Sequence, residues 1–94
     1  MPLFALICTD KPDSLELRVQ TRPAHLEYLG ATDIVRLGGP TLDGAGKPSG
    51  SILVIEAEDL AAAQAFAQAD PYAVAGLFAK VEIRPFNRTV GSWA

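Results

Sequence analysis

The 94 residues suffice for one domain and fall short of two, and a chain of this length can bury a core without disulfide or metal staples. With 49% hydrophobic and 20% charged residues and a formal net charge of -3, the composition is that of a globular protein, with no basic stripe to make nucleic acid an expected partner. Cys8 is the only cysteine, so a disulfide within the chain is excluded and a reducing compartment fits.

The first residues, Met1 to Cys8, form an apolar run that Asp10 ends early and that lacks the positive start of a signal peptide. No stretch reaches the roughly 18–20 apolar residues of a membrane helix. The expectation is a soluble, cytoplasmic protein with a single domain over 1–94.

Residues 3–8 predict a buried strand, broken by Asp10-Lys11-Pro12-Asp13. Asp13 as N-cap, with Glu16 reaching back, predicts a helix start. Leu15, Val19, Leu26 and Leu29 then fall on one helical stripe, the expected core-facing side. Pro23 removes a backbone donor, so a kink or restart is expected near Thr21-Arg22, and Gly30 is the expected C-cap. Residues 34–37 predict a second strand ended by Gly38-Gly39-Pro40. The run 41–50 reads as a loop from its glycines and prolines. It is not a phosphate-binding loop, because Pro48 follows Gly46-Lys47 where Ser or Thr is required.

Residues 51–57 form the clearest strand, apolar on both faces until Glu56. Asp59 caps an alanine-rich helix over 60–69, which can approach a sheet closely. Asp70 before Pro71 predicts the start of a short third helix over 71–76. The last strand, 78–86, alternates Val81 and Ile83 with Lys80, Glu82 and Arg84. In the tail from 87 to 94, Val90 and Trp93 are large and apolar, which suggests that the tail packs on something, the partner subunit included.

The order strand, helix, strand, strand, helix, strand is the split ferredoxin-like pattern, an α+β fold with an antiparallel βαββαβ sheet. Both helices lie on one face of such a sheet. Since the first and third strands are apolar on both faces, a second copy laid sheet against sheet is the expected cover, giving a homodimer.

The only histidine, His25, is the first residue to suspect of chemistry at neutral pH. On a nearly continuous helix, Arg18, Arg22 and His25 line up at spacings of four and three. That line is either a solvated face or a charged edge suited to an anionic or enolic ligand. No nucleotide-binding fingerprint appears, and one His with one Cys does not make an ordinary intracellular metal site, so no cofactor is expected.

A series of short motifs adds to this reading: Asp10-Lys11 with Asp13-Ser14-Leu15-Glu16, Arg22-Pro23-Ala24-His25-Leu26, Gly39-Pro40 and Gly50-Ser51. These are followed by Ala62-Ala63-Gln64-Ala65, Ala69-Asp70-Pro71-Tyr72, Ala75-Gly76 and Pro85-Phe86. In this order and spacing the chain resembles the YciI-like (YCII-related) proteins of the dimeric α/β-barrel superfamily. The resemblance implies a pocket in each subunit of a paired barrel. It also implies a His-Asp pair as active site, here His25 and Asp70, hydrogen-bonded to one another, with Ser51 lining the same pocket. Arg22, Gly39, Pro40 and Tyr72 are the further expected binding residues, for a small anionic molecule. The chain differs from longer relatives in its short loop between Gly39 and Gly50. The implied activity is that of a small cofactor-independent lyase or isomerase moving protons on a small cyclic or aromatic acid. The alternatives are a non-catalytic binding domain with the same pocket, or a dimerising accessory protein.

Overall fold

A computed structural model describes residues 1–91. The elements are β1 (Leu3–Asp10), α1 (Leu15–Gly30), β2 (Val35–Leu42), β3 (Pro48–Glu56), α2 (Leu60–Ala69), α3 (Pro71–Val74) and β4 (Phe78–Phe86). The strands pair antiparallel in the order β2-β3-β1-β4. This is the ferredoxin-like arrangement, with α3 inserted before the last strand.

Register fixes which residues share a face. Leu6 stands between Leu53 and Ile83, Phe4 between Ile55 and Pro85, and Cys8 between Ser51 and Val81. Phe4, Leu6, Leu53 and Ile55 are buried with Ala57, Ala63 and Ala67, and Leu29, Ile34, Val35, Phe66 and Ile83 pack around them. Ala63 and Ala67 are the buried residues of α2, and their small side chains let this helix lie close to the sheet. Tyr28 ties the two long helices together, its hydroxyl donating to the Phe66 carbonyl at 2.8 Å and its ring stacked on Phe66. The other sheet face carries Leu3, Ala5 and Ile7 from β1 with Ile52 and Val54 from β3, an apolar band that no helix of the chain is needed to explain.

Three expectations are corrected. β2 does not stop before Gly38-Gly39-Pro40 but runs through them to Leu42, and β3 starts at Pro48, so the loop shrinks to the turn between. β2 is an edge strand, where a proline's missing N–H costs no ladder bond that a neighbour needs. Gly50 sits in a strand because a Cβ there would collide with the Cys8 carbonyl and the Thr41 hydroxyl. Asp43 shapes the turn, accepting from the Ala45 and Lys47 amides at 2.8 and 3.0 Å, and Gly46 takes the positive φ the turn requires.

The second correction is that α1 does not restart near Thr21-Arg22 but runs as one helix through Pro23. Pro23 and Val19, whose carbonyl loses its partner, are both exposed, so the lost bond falls on the outer part of the helix rather than in the core. Ser14 rather than Asp13 is the N-cap, without a side-chain cap bond, and Asp13 takes φ 58. At the other end Gly30 is the last helical residue and Ala31 the C-cap, in right-handed geometry.

The third correction concerns the inward face of α1. Leu15, Val19 and Leu26 are exposed, while Arg18 and His25 are the buried residues of the helix. The expected core stripe is therefore beside, not on, the inward side. In the tail, Val90 is 84% exposed, and Trp93 lies outside the described residues.

Candidate active site

Asp70 sits where α2 ends and α3 begins, with extended backbone angles, and serves as C-cap of one and N-cap of the other. Its Oδ1 accepts from the Tyr72 amide at 2.9 Å. The same carboxylate holds His25 Nδ1, at 2.8 Å to Oδ1 and 3.0 Å to Oδ2. Capping and imidazole binding thus share one buried side chain. A carboxylate only accepts, so Nδ1 carries the hydrogen and Nε2 takes no part in either bond. The Tyr72 ring lies against the imidazole at 3.9 Å between centroids and 17° between planes.

Tyr72 also meets Arg18. Its Nε donates to Asp10 Oδ2 at 2.7 Å, and its Nη2 donates to Asp10 Oδ1 and to Ser51 Oγ, each at 2.9 Å. The guanidinium stands 4.6 Å from the Tyr72 ring centroid. Burial works against the Arg18 charge, but the bond to Asp10 and that carboxylate's charge outweigh it and raise its pKa. Burial raises the Tyr72 hydroxyl, while the charges of Arg18 and Arg22 pull it back. Cys8, beneath the site, is pushed up to about 12 by burial first and by the nearby Asp70 charge second, so its thiol stays protonated and unreactive.

These groups form one wall of a cavity of about 280 Å³ between α1 and the β2–β3 edge of the sheet. Arg18, Arg22, His25, Ser51 and Tyr72 supply its polar lining. Val19, Leu26, Leu29, Val35 and Leu53 supply the apolar wall, with Pro40, Pro48 and the backbone of Gly38 and Gly39. Every expected binding residue, Arg22, Gly39, Pro40, Ser51 and Tyr72, therefore lines one cavity with His25, and Asp70 stands behind His25 rather than on the wall. Asp10 was not among the expected site residues, and Arg18 was expected only as part of a helix line that is either a solvated face or a charged edge, without a named binding role. The available signal was position: Arg18 lies one turn before Arg22 and two before His25 on the same helix.

Residues 2–87 match the YCII-related domain. The chain belongs to the YCII-related family. Among its relatives, "Protein YciI" of Escherichia coli O6:H1 is 43% identical, the alignment covering 92% of this chain and 97% of that protein. An uncharacterised Haemophilus influenzae protein is 33% identical over 90% of this chain and 96% of its own length. Of solved structures, the family member superposes at a TM-score of 0.87, with 33% identity, on 5-chloro-2-hydroxyhydroquinone dehydrochlorinase (TftG) of Burkholderia phenoliruptrix AC1100 in complex with 2,5-dihydroxybenzoquinone. That match covers 93% of this chain and 95% of the other. An antibiotic biosynthesis monooxygenase shares the fold at a TM-score of 0.59 and 10% identity.

Proposed function

We propose that this YCII-related protein is a small enzyme of lyase or isomerase type that moves a proton on a small cyclic or aromatic acid without a cofactor. The observation that carries the reading is the double-handed grip of Asp70 on His25 Nδ1, with Nε2 left over and the imidazole on the wall of a cavity. Asp70 fixes the tautomer and stabilises the imidazolium once Nε2 has taken a proton from a ring carbon or hydroxyl of the substrate. The electron pair left behind moves into the ring. It either expels an anionic leaving group from a neighbouring position or recaptures the proton elsewhere, which are elimination and isomerisation respectively. The likeness to TftG, a dehydrochlorinase described in complex with a hydroxylated quinone, supports both the ligand class and the reaction type.

The test is turnover of 5-chloro-2-hydroxyhydroquinone and of related ring acids by the wild type and His25→Ala, with binding of 2,5-dihydroxybenzoquinone followed in parallel. Turnover lost in His25→Ala with binding retained supports the enzyme. Binding without any turnover in the wild type makes the protein a binding domain instead.

The same reading includes a cytoplasmic homodimer. The apolar band of Leu3, Ala5, Ile7 and Ile52, half-buried or exposed in the single chain, supports the pairing, since a second copy laid on it removes this surface from water. Light scattering at micromolar concentration is expected to give twice the chain mass of 10.0 kDa, and a clean monomer refutes the pairing.

A further inference from the structure

Arg18 is 5% exposed, and a guanidinium is rarely left this dry unless its charge is matched. Asp10 matches it through a two-point contact from one edge, and Ser51 takes one more hydrogen. These bonds use three of the five guanidinium N–H groups and none of them uses Nη1; the Tyr72 hydroxyl is a further hydrogen-bond partner of the guanidinium, and one such acceptor still leaves an N–H over. An ion pair built only to join β1 to α1 would have no reason to lie on the wall of the cavity, yet Arg18 does. It also shares one aromatic ring with the dyad: Tyr72 has the imidazole at 3.9 Å and the guanidinium carbon at 4.6 Å from its centroid. Arg18 and His25 therefore both meet the same ring, and the Tyr72 hydroxyl is hydrogen-bonded and electrostatically coupled to Arg18.

We propose that Arg18 determines which ligands the cavity accepts, its Nη1 holding a ring oxygen of the ligand (a carbonyl, enolate or phenolate) while His25 acts on the neighbouring position. This rests on the reading of the cavity as a ligand site and adds the ligand's second point of attachment. Asp10 balances the Arg18 charge, so Arg18 reads the oxygen as a hydrogen-bond acceptor held in a fixed fork, not as net charge. Arg22 has the complementary role. It lines the same cavity, is exposed, and takes part in none of the ion pairs among the described residues, so it offers uncompensated charge at the mouth. A direct bond in a dry wall is little affected by salt, whereas attraction by an exposed charge is screened.

The experiment is calorimetric titration of 2,5-dihydroxybenzoquinone into the full chain at low and high salt. The variants are Arg18→Lys, the paired Asp10→Asn/Arg18→Met, and Arg22→Gln. Both Arg18 variants are expected to weaken binding by roughly tenfold or more at either salt, the scale of one charge-assisted hydrogen bond. Arg22→Gln is expected to weaken it at low salt only. Unchanged affinity in a folded Arg18 variant overturns the proposal and leaves the cavity reading standing. No binding by the wild type overturns both. A crystal structure of the wild type with the quinone decides the matter without any variant: a ring oxygen within hydrogen-bond distance of Nη1 supports the proposal, and an oxygen bonded elsewhere refutes it.

Discussion

The two long helices cover the same sheet face in opposite ways. α2 meets it with Ala63 and Ala67, and the space beneath is filled by Phe4, Leu6, Ile55 and Phe66. α1 meets it with Arg18 and His25, and the space beneath its outer part is a cavity. A small side chain lets a helix settle until van der Waals contact closes the gap. Long polar side chains that need partners hold it off, and the partners come from the strand ends and the α2–α3 junction. The chain thus uses one helix for close packing and the other to wall a cavity, and each inward face shows which.

The contrast is broken most severely at His25. If α1 exists to present an imidazole, His25→Ala lowers turnover of any accepted substrate by about 10²–10⁴, the usual worth of a positioned general base. Asp70→Asn lowers it less, because Asn still accepts the Tyr72 amide bond and caps α3 but no longer stabilises an imidazolium. Steady-state kinetics on both variants checks this, and equal rates in wild type and His25→Ala end it.

The next effect is on stability. Arg18→Met leaves Asp10 buried beside no cation, which costs about 3–5 kcal/mol, whereas Asp10→Asn/Arg18→Met removes both charges and costs far less. Denaturant melts of the two variants give the comparison. A double variant as unstable as the single one shows that the pair itself, not the orphaned charge, matters.

On the α2 side the expected effects are those of packing. Ala63 is fully buried, and Ala63→Leu forces α2 outward at about 1–3 kcal/mol. Leu26→Ala on α1 removes a larger group yet changes stability by only about 0.5 kcal/mol or less, since Leu26 is 52% exposed. Thermal melts that reverse this order would mean the cavity face of α1 is packed and not open.

The same contrast explains what could be read from the chain beforehand. The start of α2 and the α2–α3 junction were legible because Asp59 at the first, and Asp70 with Pro71 at the second, act locally, through caps within three residues. So was the strand over 51–57, whose pattern needs no partner to be recognised. The face of α1 was not legible, because hydrophobic periodicity assumes that the inward side meets a filled apolar core, and over a cavity that Arg18 and His25 line the assumption fails. Gly38-Gly39-Pro40 suggested a strand end because those residues break strands in isolation, and only the edge position of β2 makes them harmless. The pairing of Asp10 with Arg18 joins a strand end to a helix, and no local signal announces it.

The smallest effect is expected at a carboxylate that belongs to neither helix. Asp43, at the β2–β3 turn, accepts two backbone amides as Asp70 accepts one, but it is exposed where Asp70 is buried. The Lys47 and Ala45 amides favour its charged form and hold its pKa below the usual carboxylate value. A group whose folded pKa is lowered supports the fold above its unfolded pKa, roughly 4, and loses that support as the pH falls through the lower folded value. Acid should therefore loosen the turn from about pH 4 downward, and no change is expected between pH 5 and 8 from this source. Water already surrounds the group and screens it, so the global melting temperature should barely respond. The local readout is the amide proton shift of Ala45 and Lys47 in an NMR titration, which should follow the protonation of Asp43 and be abolished in Asp43→Asn. Flat shifts down to pH 2 would show that the two amides do not depend on the charge of Asp43, and the turn would then be held by Gly46 and the backbone bonds between Asp43 and Lys47 alone.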